Sequence, residues 1–132
     1  MFYLGFDPGR DKCGMAVMEN NRCLHYHEVT LSDDVAENLV SLCQQFPIEQ
    51  LIMGNQTTAE QWKIKLEKIL PRPIPITMVD ERNSSVEARD RYWEMYPPQG
   101  LTRLIPQGLR VPPRPIDDIV AILLIERYLA QL

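Results

Sequence analysis

The first thirty residues alternate their side chains with a period of two. In "FYLGFD", Phe2, Leu4 and Phe6 fall on one face while Tyr3, Gly5 and Asp7 fall on the other. "CGMAVME" and "RCLHYHEVT" follow, separated by Asn20 and Asn21, which are good hairpin-turn residues, so three strands form an antiparallel meander. The period then changes. Val35, Leu39, Leu42, Cys43 and Phe46 recur at helical spacing behind Ser32, which reads as an N-cap with Asp33 and Asp34 in the first turn, and Pro47 closes that helix. "EQLIMG" is a short buried strand. Thr57 or Thr58 opens a second helix with Trp62, Leu66, Ile69 and Leu70 on its apolar stripe, stopped by Pro71 and Pro73. "IPITMVDER" supplies another strand, and Ser84 or Ser85 with Glu87 has the pattern of a capped helix start running to about Tyr96. A proline-rich loop leads to a strongly apolar last helix from about Ile116 to Leu132.

The order is therefore β-β-β-α-β-α-β-α-α. Strands alternating with helices in the second half imply parallel pairing beside the opening meander, hence an α/β fold with a mixed five-stranded sheet and helices on both faces. A chain of 132 residues suits one compact domain, 1–132, with no internal repeat. In such sheets the usable crevice lies outside the carboxyl ends of the parallel strands. Asp7, Gly54 and the pair Asp80–Glu81 all sit at such ends.

Composition narrows the classes. Hydrophobic residues at 45% and charged residues at 24% describe a soluble globular chain rather than a disordered, fibrous or membrane one. The run "IVAILLI" is too short to cross a bilayer, and no secretory signal opens the sequence. Three cysteines, Cys13, Cys23 and Cys43, are an odd number without metal-ligand spacing; they read as small buried hydrophobes in a reducing, cytoplasmic setting. A net charge of -4 argues against binding nucleic acid by bulk electrostatics. Local charge must carry any such role, and the acid-free segment from Pro97 to Pro115, with Arg103, Arg110 and Arg114, is the clear basic patch.

The candidate chemistry rests on carboxylates. Taken alone, Asp7 before Pro-Gly is an ordinary turn former. "VDER" ends a strand with two adjacent acids whose side chains point to opposite faces, so only one of them can join Asp7. Asp117 and Asp118 occupy the first turn of the last helix, where the helix dipole stabilises them without any catalytic purpose. Three carboxylates gathered at one sheet edge repel strongly unless a divalent cation neutralises them. Oxygen ligands of this kind suit Mg²⁺ or Mn²⁺, and a pair of such ions can drive phosphodiester hydrolysis. No Cys or His cluster suits zinc: His25 and His27 share one strand face but have no obvious third ligand. Arg89, Arg91, Tyr92, Trp93 and Tyr96 interleave charge with aromatics, a pattern open to base stacking or to inward packing with snorkelling arginines.

"GFDPGRDKCGMAV" resembles the G-x-D-x-G-x-x-x-x-G-x-A-V opening of the YqgF family, relatives of the Holliday-junction resolvase RuvC within the ribonuclease H-like superfamily. "VDERNSSVEAR" from Val79 to Arg89 is similar to that family's D-E-R block, and "IDDIVAILLIERYL" from Ile116 to Leu129 to its closing helix. The resemblance implies a ribonuclease H-like domain and a metal-dependent nuclease. By it, Asp7 is the central metal ligand, Glu81 the acid of the D-E-R block and Asp117 the acid opening the last helix, with Asp80 and Asp118 as reserves. Arg82 is expected to brace a carboxylate or touch phosphate. Asn55 at the end of the fourth strand, with Arg110 and Arg114 of the basic patch, completes the candidate substrate contacts. The implied cofactor is Mg²⁺ or Mn²⁺. The implied partner is branched DNA of the Holliday-junction type or precursor ribosomal RNA, cut to leave a 5′-phosphate, with no membrane and with room for a homodimer. The acidic net charge and the proline-rich loop support an alternative, a catalytically silent relative that binds nucleic acid or protein. A D-x-G turn also begins the actin and sugar-kinase fold, an ATP-binding reading, but Arg10 stands where those phosphate loops carry Thr or Ser.

Overall fold

The computed structural model describes residues 1–56 and 58–132; Thr57, one of the two residues expected to open the second helix, lies outside them. The elements are β1 (Phe2–Asp7), β2 (Lys12–Glu19), β3 (Leu24–Leu31), α1 (Val35–Gln45), β4 (Ile48–Gly54), α2 (Ala59–Ile69), β5 (Ile76–Val79), α3 (Ser84–Met95) and α4 (Asp117–Ala130). One mixed sheet has the order β3-β2-β1-β4-β5. The first three strands form the expected antiparallel meander, and β4 and β5 run parallel to β1.

Strand alternation divides the core in two. Leu4, Phe6, Met15, Val17, Leu51 and Met53 face α1 and α2, where Leu39, Leu42, Trp62 and Leu66 cover them. The opposite face presents Tyr3, Ala16, Ile52 and Val79 to α4 and to the Ala88, Tyr92 and Trp93 side of α3. Helix α4 is apolar nearly all round because the sheet lies on one side and α3 on another, with Ile119 to Ile125 all buried. It sinks deep because glycine stands beneath it twice. A Cβ at Gly5 would collide with the Ala121 carbonyl, and one at Gly14 with the Asp117 carbonyl. The first residue of α4 is thereby brought against the end of β1.

Two helix starts differ from expectation. Ser32–Asp34 forms a separate 3₁₀ turn and α1 begins only at Val35. The Ser32 hydroxyl donates to the Gly9 carbonyl (3.4 Å) and approaches the Cys13 thiol (3.6 Å), tying the β1–β2 turn to the end of β3 instead of capping a helix. At α3 no Ser–Glu capping exchange forms. Asn83 enters in the left-handed region (φ 62), and the Ser84 N–H donates to the Glu81 carbonyl at 3.0 Å. That tight turn is what fixes the D-E-R segment. Between α3 and α4 the chain makes two short 3₁₀ turns and leaves Leu101, Leu104, Leu109 and Val111 exposed.

Candidate active site at the carboxyl edge of the sheet

Asp7 is the last residue of β1 and lies on the α4 face, because it keeps the parity of Tyr3 and Gly5. It is only 7% exposed. Asp117, at the start of α4, meets it from above, close enough for the two carboxyls to share a hydrogen bond when Asp7 is protonated. Glu81 follows β5 with the parity of Val79 and packs its carboxylate against Gly54 at the end of β4, where any Cβ would strike it. Three strand ends and one helix start thus bring together acids from positions 7, 81 and 117.

The electrostatics are those of a site short of positive charge. Burial first, then the charges of Asp117 and Glu81 and the hydrogen bond the protonated Asp7 donates to Asp117, push Asp7 from its ordinary 3.8 up to about 8. Burial also raises Asp117, with Asp118 adding to the effect while the hydrogen bond to Asp7 and Lys12 oppose it. Glu81 is raised by burial as well, against the lowering influence of the Gln56 backbone N–H and Arg127. Among the described residues neither Glu81 oxygen has a partner in good hydrogen-bond geometry, although both are buried. Buried carboxylate oxygens without donors are costly. A divalent cation supplies what the three acids lack, so the donor set fits Mg²⁺ or Mn²⁺. The trio is nevertheless wider than a single-ion nest. Among the described residues the group of three ligand-type side chains with atoms all within 4.8 Å of one another is Glu19, Cys23 and His25, elsewhere on the molecule.

The other candidates divide clearly. Asp80 is exposed, and its Oδ1 accepts the Arg82 N–H at 2.9 Å, a turn-forming bond. Asp118 is 2% exposed and fully engaged: its oxygens accept from Arg114 at 3.0 and 3.3 Å and contact His27 Nδ1 at 2.6 Å. Arg114 also lies over the rings of Tyr92 and Tyr96, at 5.5 and 5.6 Å. Arg110 donates to the Ile105 carbonyl (2.8 Å) and lies 5.9 Å from the Trp93 ring. Both arginines are therefore occupied in holding the loop onto α3 and α4. Tyr92 and Trp93 are buried and pack inward as core, whereas Tyr96 is exposed. Asn55 and Arg82 are exposed at the ends of β4 and β5.

Some contributors were not singled out from sequence. Arg127, ten residues along α4 from Asp117, donates to the Asp80 carbonyl at 2.8 Å and pairs with Glu87 at 3.1 Å, so it pins the D-E-R turn. Lys12, at the start of β2, lies close enough to Asp117 to favour its ionised form. Nothing in the sequence separates either from an ordinary surface cation. Two larger hollows, of about 850 and 830 Å³, are lined by residues such as Phe46, Arg72 and Pro73 or Lys63, Pro71 and Ile76, and by none of these acids.

The sheet order, the placement of α4 and the acids at the carboxyl edge define a ribonuclease H-like α/β fold, the class to which nucleases of the resolvase type belong. The model of the RuvX Holliday junction resolvase family matches residues 1–131, and the chain belongs to that family. It is accordingly a nuclease of structured nucleic acid. Among solved structures it is similar to Thermus thermophilus RuvC in complex with a Holliday junction substrate, at 17% identity over 99% of this chain and 95% of that one, with a TM-score of 0.60. It is also similar to a second structure of Thermus thermophilus RuvC, at 17% identity over 99% and 96% of the two chains, with a TM-score of 0.53. At that identity the likeness is one of fold. Among curated protein sequences nothing matches. No helix of the described residues is long and apolar enough to cross a membrane.

Proposed function

We propose that the chain is a Mg²⁺- or Mn²⁺-dependent endonuclease of branched DNA, with Asp7, Glu81 and Asp117 as both metal ligands and catalytic groups. The observation that carries this reading is Asp7 itself: a buried carboxyl pushed to about 8 beside two other acids, an arrangement that a divalent cation relieves. When bound, the metal supplies the positive charge that lets these acids ionise together and that offsets charge building on the phosphodiester during hydrolysis. The protein's own groups do the rest. Asp7, Glu81 and Asp117 would hold the cation: Asp7 would do so in its ionised form, Glu81 offers two buried oxygens without a partner in good hydrogen-bond geometry among the described residues, and Asp117 is fixed by the helix that carries it. Arg82 and Asn55, exposed in the segments that follow β5 and β4, would meet phosphate oxygens. Lys12 offers a further cation beside Asp117. A homodimer would present two such edges to a two-fold junction, and action on cellular DNA places the protein in the cytoplasm.

The test is incubation of purified protein with labelled four-way junction, duplex DNA and precursor ribosomal RNA, each with and without Mg²⁺ or Mn²⁺. Metal-dependent cleavage of the junction, leaving 5′-phosphates and falling at least about a hundredfold in Asp7→Asn, is expected. Full activity of Asp7→Asn would remove the site. Preferential cleavage of the RNA would change the substrate, and binding without cleavage would mark a silent relative.

A further inference from the structure

Glu19 closes β2, Cys23 ends the turn and Leu24-His25 begins β3, so three different ligand types are returned to one place by a single hairpin. One atom from each, a carboxylate oxygen, a thiol sulfur and an imidazole nitrogen, lies within 4.8 Å of the others. Glu19 Oε1 and His25 Nε2 are 2.7 Å apart. Sequence spacing hid this group, because Glu19 is on the other arm of the hairpin. Cys23 also departs from the expectation of three buried cysteines: Cys13 and Cys43 are buried, whereas Cys23 is exposed.

The scaffold under the three is well tied. The Glu19 N–H donates to the Cys23 carbonyl (3.0 Å), the Arg22 N–H to the Glu19 carbonyl (2.9 Å) and the Asn20 N–H to the Met1 carbonyl (3.1 Å). Asn21 Oδ1 accepts the Cys23 N–H at 3.0 Å. Arg22 takes φ 67, a left-handed conformation that a non-glycine residue adopts at some cost and that folds Cys23 back toward Glu19. The His25 ring rests against Phe2 and Phe46, with centroids 5.2 and 5.8 Å away, which leaves Nε2 as the nitrogen turned to Glu19.

We infer that this hairpin is a second metal site, specific for a borderline transition-metal ion of the Zn²⁺ type and separate from the acidic edge. Sulfur, nitrogen and oxygen donors in one group are the set such ions prefer, and Mg²⁺ and Ca²⁺ do not take thiolate. Three protein ligands leave the fourth tetrahedral position to water, the pattern of an exchangeable site rather than a closed structural one. On binding, the Cys23 S–H bond breaks, sulfur bonds to the metal and the proton passes to solvent; the Glu19–His25 hydrogen bond is replaced by two metal bonds. Phe2 pairs with Glu19 and Asp7 with Gly14, so the two sites stand at opposite ends of β1, roughly 17 Å apart at strand rise. Because the Asn20 N–H is bonded to Met1, the ion clamps the hairpin where the first strand begins.

The experiment uses the full chain, metal-free, reduced and held in excess Mg²⁺ so that the acidic edge is served by its own ion. Zn²⁺ is titrated against a chromophoric chelator, and Co²⁺ is followed in the near ultraviolet for thiolate-to-cobalt charge transfer. One equivalent of Zn²⁺ is expected to bind, raising Tm by roughly 8 °C at a hundredfold excess over Kd. Cys23→Ser and His25→Ala should each weaken binding at least about tenfold, the smallest loss that even an orienting partner of a ligand produces. Cys23→Ser should abolish the charge-transfer band, whereas Asp7→Asn should leave it intact. Both changed positions are exposed, so circular dichroism should be unaltered. Absence of the band in the unaltered protein, or equal Zn²⁺ affinity in Cys23→Ser, would overturn the inference.

Discussion

Asp7 sets the pH behaviour of the metal-free protein. Its folded-state value, about 8, lies above the ordinary 3.8, so the folded chain holds this proton more tightly than the unfolded chain. The resulting stability is present in full below about pH 4 and is lost as pH rises through about 8. Asn carries no such proton. Metal-free Asp7→Asn should therefore match the parent at pH 4 and exceed its Tm at pH 8.5 by at least about 4 °C, the shift that ~1 kcal/mol produces in a domain of this size. Added Mg²⁺ should raise the parent's Tm at pH 8.5 and leave the variant's unchanged, as calorimetry would register. Sequence reading reached Asp7 and the parity that turns it toward the last helix, because alternation along a strand is a local property. It put Asp117 ahead of Asp118 only through the family resemblance, with Asp118 held in reserve, since the residues themselves do not separate the two. The choice depends on His27, ninety-one residues from Asp118, and on Arg114 reaching Asp118 from the loop.

Single glycines decide how the elements meet. At Gly54 an added methyl strikes only the flexible carboxylate of Glu81, while at Gly14 it strikes the backbone of α4 at Asp117. Gly54→Ala should leave Tm within a few degrees of the parent yet cut metal-dependent cleavage at least about tenfold by displacing Glu81. Gly14→Ala should cost ~1–3 kcal/mol or more as α4 is forced off the sheet, lowering Tm and cleavage together. Denaturant melts read beside cleavage rates distinguish the two. The elements themselves were largely legible: all five strands and four helices follow from periods of two and of 3.6 and from proline stops. The exceptions lie at helix starts. Ser32 is drawn away by the Gly9 carbonyl, a partner from another turn, and the D-E-R turn takes the place of a cap at Ser84. Such competition between local and distant partners leaves no mark on hydrophobic spacing.

At the scale of the molecule, an acidic protein must take hold of a polyanion. The net charge is -4, and of the basic loop's arginines Arg110 is engaged within the loop and Arg114 on Asp118 of α4, so that patch has little left to displace counterions. Junction binding should therefore depend weakly on salt, with log Kobs against log salt no steeper than about -4 in fluorescence anisotropy without divalent ions. Removing the exposed Arg103 should weaken binding to junction and duplex alike, since a contact of that kind reads phosphate rather than shape.

If the three acids are the active site, as proposed, helix α4 serves it from both of its ends. Its opening residue is one of the three acids, and Arg127 near its close grips the turn that carries another. Removing the last turn of α4 from Arg127 onward would thus slacken the acidic edge from behind: Arg127 is the buttress of a cluster whose first acid is the seventh residue.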